Sequence, residues 1–176
     1  MSESAKKHKA EAPKKLNFGV FVCSASRYRQ LEKGEKIQDV SGDMIEAFLK
    51  NAGHTMMFRR IISDDKAMIE DAVRQALISV NLDAVVFCGG TGIAPSDITI
   101  ETVQPFLQKA LPGFGEIFRR LSFDEIGPAA VMSRAIAGVS KGKVVFCIPG
   151  SPNAVKLCFE RLILPEAAHI VKHARE

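Results

Sequence analysis

Several stretches of this sequence are apolar almost without interruption, and each runs straight into a loop of small or turn-forming residues. Asn17 to Ser24 reads NFGVFVCS, Leu82 to Phe87 leads into Cys88-Gly89-Gly90-Thr91-Gly92, and Lys143 to Ile148 leads into Pro149-Gly150-Ser151-Pro152. A strand with one wet face alternates apolar and polar residues. A strand without alternation is covered on both faces, as in a parallel sheet with helices on either side.

The segments between these runs supply the helices. Ser41 can cap a helix that places Met44, Ile45, Phe48 and Leu49 on one face and stops at Gly53. Thr55 to Ile62 reads as a strand, and Ser63-Asp64-Asp65 opens a helix carrying Met68, Ile69, Val73, Leu77 and Val80. Ala25 to Val40 reads as a polar loop. Farther on, Ile98 to Ala110, Phe114 to Leu121 and Pro128 to Ala135 read as helical, and a last helix follows Pro152 through Ile163. Strands alternating with helices predict a three-layer α/β/α sandwich around a mostly parallel sheet. Its strand-exit loops share one rim, where ligands gather.

Length and charge narrow the class. The 176 residues suit one domain, expected over 16–176 behind a flexible basic tail, 1–15. That tail holds Lys6, Lys7, Lys9, Lys14 and Lys15 against Glu3 and Glu11 and carries most of the net charge of +4, leaving a near-neutral body. With one tyrosine, no tryptophan and no recognisable module, nucleic-acid binding is not expected. Cys23, Cys88, Cys147 and Cys158 lack metal or redox spacing and read as buried, reduced thiols of a cytoplasmic protein. No apolar stretch is long enough for a membrane span.

The rim loops carry the candidate chemistry. Residues 88–97, CGGTGIAPSD, fit neither the phosphate loop that ends in Gly-Lys-Ser/Thr nor the dinucleotide fingerprint, because the lysine is absent and Pro95 stands at the third glycine. Gly89, Gly90 and Gly92 still suit an anion-binding nest, although the loop alone reads equally as a plain strand exit. Asp64 and Asp97 each follow a strand on that rim and can together hold Mg2+ against a triphosphate; singly, each reads as a cap or turn residue. Asp65 is an alternative to Asp64. Ser133-Arg134 can bind phosphate by hydroxyl and guanidinium, or serve a surface helix. His169 and His173 lie four apart with no metalloprotease glutamate between them, a pattern that favours solvent-exposed imidazoles over a metal site.

Taken in order, Asp39-Val40-Ser41-Gly42, Ala52-Gly53-His54, Gly89-Gly90-Thr91-Gly92 with Asp97 and Thr99, Pro112-Gly113-Phe114-Gly115-Glu116, Ser133-Arg134-Ala135-Ile136-Ala137-Gly138 and Pro149-Gly150-Ser151-Pro152 resemble the MoaB and MogA family of molybdenum cofactor biosynthesis. The run GFGEIFRRLSFDEIG looks more like the MoaB branch. The resemblance implies a molybdopterin-binding-protein-like fold, a trimer or hexamer, and a molybdopterin adenylyltransferase. That activity is a Mg2+-dependent transfer of AMP from ATP to the terminal phosphate of molybdopterin, with release of pyrophosphate. By resemblance Asp64, Asp97 and Ser133 are the catalytic residues, with both aspartates on the metal. Ser24, Gly89, Gly90, Thr91, Gly92, Pro149, Gly150 and Ser151 are the substrate and phosphate contacts. Besides molybdopterin and ATP, the implied partner is the molybdate-inserting protein of the pathway. Some MoaB-branch members resemble inactive pterin-binding or scaffold proteins, a reading that retention of both aspartates disfavours. Departures from the family pattern lie at Ser24-Ala25-Ser26-Arg27, at Ile100, where a proline is usual, and at Ser63.

Overall fold

The computed structural model describes residues 11–176. The expected tail therefore falls mostly outside the described residues, and of its remainder Glu11 pairs with Lys172 Nζ at 2.6 Å. Six strands form one sheet: β1 (Asn17–Cys23), β2 (Thr55–Ile62), β3 (Ala84–Cys88), β4 (Lys109–Ala110), β5 (Ile136–Ser140) and β6 (Lys143–Ile148), in the order β2-β1-β3-β6-β5-β4. The first four of that order run parallel; at one edge β5 pairs antiparallel with β6, and β4 antiparallel with β5.

Burial explains the absence of alternation. Phe18, Val20 and Val22 of β1, Val86 of β3 and Val144, Phe146 and Ile148 of β6 face one core. The residues between them, Phe21, Cys23, Val85, Phe87, Val145 and Cys147, face the other. The first core is roofed by α2 (Val40–Asn51), α5 (Pro112–Ile126), α6 (Pro152–Cys158) and α7 (Leu164–Ala174). The second is roofed by α3 (Lys66–Ile78) and α4 (Thr99–Val103). These are the three layers expected from the sequence.

Several local expectations fail for identifiable reasons. Ala25–Glu32 forms a helix, α1, rather than a loop: Ser24 caps it by accepting from Arg27 N–H, and it buries no residue fully, so no apolar stripe announces it. The cap of α2 is Asp39, which accepts from Gly42 N–H at 3.0 Å, and not Ser41. Helix stops early in 98–110, because Pro105 has no N–H to continue the ladder; a 3-10 turn over Gln104–Phe106 gives way to β4. Pro128–Ala135 holds a 3-10 segment, Gly127–Met132, and an extended exit. Strand β5, a five-residue IAGVS, carries no strand pattern in the sequence. It joins β6 through a two-residue turn, Lys141 (φ 50°) and Gly142 (φ 70°), both left-handed as a tight hairpin requires. The last helix is one rod with a π segment at Phe159–Ile163, just before Pro165.

Chain order reverses around β1. The connection to β2 carries α2 on one face of the sheet, and the connection from β2 to β3 carries α3 on the other. The crevice between the ends of β1 and β3 is therefore the topological switch point.

Candidate active site

Three strand ends converge at that crevice. Gly89 donates its N–H to Ile148 O at 2.9 Å, extending the β3–β6 ladder by one residue. Its φ is +109°, and a Cβ there would stand 2.3 Å from Cys23 O. A Cβ on Gly150 would in turn stand 3.2 Å from Gly89 Cα. Only residues without side chains let the exits of β1, β3 and β6 approach so closely. Ser41 secures the third loop by donating its hydroxyl to Gly150 O at 2.7 Å.

The result is a cleft of about 380 Å³. Its floor and walls come from Cys23, Ser24 and Arg27, from Cys88 through Gly92 with Asp97, from Met132, Ser133 and Arg134, and from Pro149 and Gly150. Of the residues singled out in the sequence, Ser24, Gly89 through Gly92, Asp97, Ser133, Pro149 and Gly150 lie in this lining, and Asp64 and Ser151 do not. Cys23, Cys88 and Met132 also line it, and their apolar character carries no functional signal in the sequence. Arg27 was visible only as part of a departure from the family pattern. Ser151 is exposed beside the cleft, where it caps α6 by accepting from Ala154 N–H at 3.3 Å. A larger groove of about 600 Å³, lined by Lys36, Gln38, Asp39, Asp43 and Arg59, has no glycine loop, and Arg59 is paired with Asp43 at 2.7 Å.

Backbone donors belong to residues that line this space. Among the described residues the N–H groups of Gly90, Thr91 and Gly92 meet no protein acceptor, whereas those of Gly89, Asp97 and Thr99 are bonded within the fold. Adjacent unpaired amides on a loop that turns through left-handed conformations form a nest for an anion. Gly90 (φ +62°) also lies against two side chains: a Cβ there would be 2.4 Å from Thr99 Oγ1 and 2.8 Å from Asp64 Oδ1.

The two aspartates occupy different places. Asp97 lines the cleft, and its Oδ2 accepts from Ala94 N–H at 2.9 Å, closing the turn of its own loop. Asp64 stands behind Gly90, with Oδ2 accepting from Ala25 N–H at 2.8 Å. Its buried Oδ1 has no hydrogen-bond partner, and the buried Thr99 Oγ1 has no oxygen or nitrogen partner and lies beside the Cys23 thiol. Asp65 is exposed and caps α3 by accepting from Met68 N–H at 2.9 Å, which removes it as an alternative to Asp64.

Arg134 departs from the phosphate-binding use that its place beside Ser133 suggested. Its Nε donates to Thr91 O at 3.0 Å, Nη2 to Gly92 O at 2.6 Å, and the guanidinium meets the Glu101 carboxylate. The Arg134 hydrogen bond holds the Glu101 carboxyl below its usual range. Cys23 is pushed up to about 12, chiefly by burial, and burial likewise raises Cys88, so both thiols in the floor stay protonated. His169 and His173 meet through their Nε2 atoms at 3.0 Å in a separate cavity against β5 and α7; His173 is exposed as expected, whereas His169 is half-buried.

Comparison with known proteins agrees with this architecture. A family model described as a probable molybdopterin binding domain matches residues 19–169. The chain is 44% identical to the molybdenum cofactor biosynthesis protein B of Bacillus subtilis, over 98% of each chain. It is also 44% identical to the molybdopterin adenylyltransferase of Pyrococcus furiosus, over 96% of this chain and 97% of that one. A crystal structure of a molybdenum cofactor biosynthesis protein B superposes with a TM-score of 0.85 at 40% identity, covering 94% of this chain and 99% of the other. With a strand-exit cleft of this form and matches across nearly its whole length, the chain belongs to the molybdopterin-binding-domain family of molybdenum cofactor biosynthesis, in its MoaB branch.

Proposed function

We propose that this protein is a molybdopterin adenylyltransferase, transferring AMP from ATP to the terminal phosphate of molybdopterin and releasing pyrophosphate. The observation that carries this reading is the meeting, at the switch point, of unpaired amides from Gly90 to Gly92 with an orphaned Asp64 carboxylate oxygen. Full-length likeness to a relative named for that activity supports it.

The chemistry asks little of acid–base groups. A phosphate monoester is already largely anionic near neutral pH, so its oxygen attacks the α-phosphorus of ATP without a general base. The new bond joins that oxygen to the α-phosphorus, the bond to the bridging oxygen of the β-phosphate breaks, and pyrophosphate leaves with the electron pair. The task is to bring two anions together and to stabilise charge on the leaving group. The Gly90–Gly92 amides and the Arg27 guanidinium bind phosphate oxygens, Ser133 orients the accepting phosphate, and Pro149, Gly150, Ser24 and Ser151 shape the remaining contacts.

Asp64 Oδ1 and Thr99 Oγ1 are buried hard oxygens beside Gly90, and together with Asp97, which lines the cleft, they are the residues that would hold Mg2+. Bound there, Mg2+ would supply charge neutralisation for the triphosphate. The working form is a homotrimer or a hexamer built from two trimers, and its product passes to the molybdate-inserting protein. Pyrophosphate formed from ATP only when molybdopterin and Mg2+ are both present is the expected result. Pyrophosphate at background with folded protein and intact pterin would overturn the proposal in favour of a pterin-binding scaffold.

A further inference from the structure

Arg134 lines the cleft beside Ser133, where a guanidinium would ordinarily be assigned to phosphate. Its hydrogen bonds say otherwise. Nε is given to Thr91 O at 3.0 Å, and Nη2 is given to Gly92 O at 2.6 Å and to Asp97 O at 3.4 Å. Nη1 is given to one oxygen of Glu101, and Nη2 lies 3.4 Å from the other. All three guanidinium nitrogens thus serve the protein, and the positive charge is met by a carboxylate from α4. A phosphate at this position would have to displace Glu101. Arg27 contrasts with it: from α1 it lines the same cleft, gives Nε to Gln38 O at 3.2 Å, and enters no ion pair among the described residues.

The acceptors are placed to matter. Thr91, Gly92 and Asp97 are spread along the loop whose amides form the nest and whose end carries the aspartate, while Arg134 is the neighbour of Ser133. We propose that Arg134 is a positioning residue: held by Glu101, it clamps the 91–97 loop and fixes Asp97 and the loop amides relative to Ser133. Lysine cannot replace it, because a single ammonium does not present the planar fork that reaches three carbonyls and a carboxylate at once. The inference rests on the adenylyl-transfer reading for its kinetic consequence and on the loop geometry for its structural one.

Arg134→Lys, Arg134→Ala, Glu101→Gln and the double variant Arg134→Ala/Glu101→Gln test it through three readouts: steady-state kinetics, thermal melting, and amide hydrogen exchange of residues 90–97 without substrates. Arg134→Lys is expected to lower kcat about 10- to 100-fold while the KM for ATP stays within about threefold, as misplaced but uncontacted groups do. Exchange should quicken at the hydrogen-bonded Ala94 and Asp97 amides of the loop and not in the strands, with Tm little changed. Glu101→Gln should act in the same direction more weakly, and the double variant should lose little beyond Arg134→Ala. A KM for ATP raised tenfold or more with kcat and loop exchange unchanged would make Arg134 a phosphate ligand and overturn the proposal. Should wild-type protein release no pyrophosphate, the adenylyl-transfer reading falls separately, and unchanged loop exchange in Arg134→Lys would still overturn the clamp.

Discussion

Asp64 gives one oxygen to Ala25 N–H and keeps the other buried without a protein partner, whereas Asp97 spends one oxygen closing its own turn. An unmet carboxylate oxygen under a close-packed backbone is costly unless a ligand satisfies it. Function is the natural explanation for its retention. Asp64→Asn keeps an acceptor for Ala25 and removes the charge; Asp97→Asn does the same for Ala94. Each is expected to lower kcat by about 100-fold or more, the scale of a lost electrostatic contact to a transition state. Melting temperatures should remain close to wild type, and steady-state pyrophosphate release beside a thermal scan checks both halves. Equal loss of activity and fold would assign these residues to structure instead.

At the scale of elements, what could be read from the sequence followed burial. Strands β1, β3 and β6 were legible because both faces are covered, so their apolar runs are continuous. Helix α3 was legible because Ile69, Val73 and Leu77 fall on one buried face. Helix α1 was not, since it buries no residue fully, and β5 was not, since Ile136-Ala137-Gly138-Val139-Ser140 is short and partly small. The cleft lining was legible where glycine, serine and aspartate mark it. The use of Arg134 depended on distant carbonyls that no local pattern encodes.

The β5–β6 hairpin carries a prediction of its own. Lys141 holds φ 50°, a conformation that costs an ordinary residue roughly 1–2 kcal/mol and that asparagine tolerates. Lys141→Asn should stabilise the fold by about 0.5–1 kcal/mol in denaturant unfolding. Destabilisation would show that the lysine side chain has a compensating role.

Three of the four cysteines lie in strands of the sheet and the fourth, Cys158, ends α6, and all four are buried and free. Burial raises each thiol, Cys23 to about 12 from 9.0. In the unfolded chain these thiols ionise near their ordinary value, whereas in the fold they remain protonated. For Cys23 that contribution is fully present below about pH 9 and is lost as pH rises from there through about 12, and burial acts in the same direction on the other three thiols. Denaturant midpoints should fall steeply across that window, and a thiol reagent at pH 8 should label the native protein far more slowly than the unfolded one. Rapid labelling of Cys23 or Cys88 in the native state would mean that the cleft floor opens to solvent.

The same packing brings three strand exits to one crevice, and the account stands or falls on what happens to ATP there. The direct measurement is a single-turnover reaction of the protein with molybdopterin, ATP and Mg2+, with the pterin product identified by mass spectrometry. The account predicts a pterin carrying AMP on its terminal phosphate, formed in step with pyrophosphate and absent with the Asp64→Asn variant. Unmodified molybdopterin recovered from folded wild-type protein that binds both substrates would contradict it.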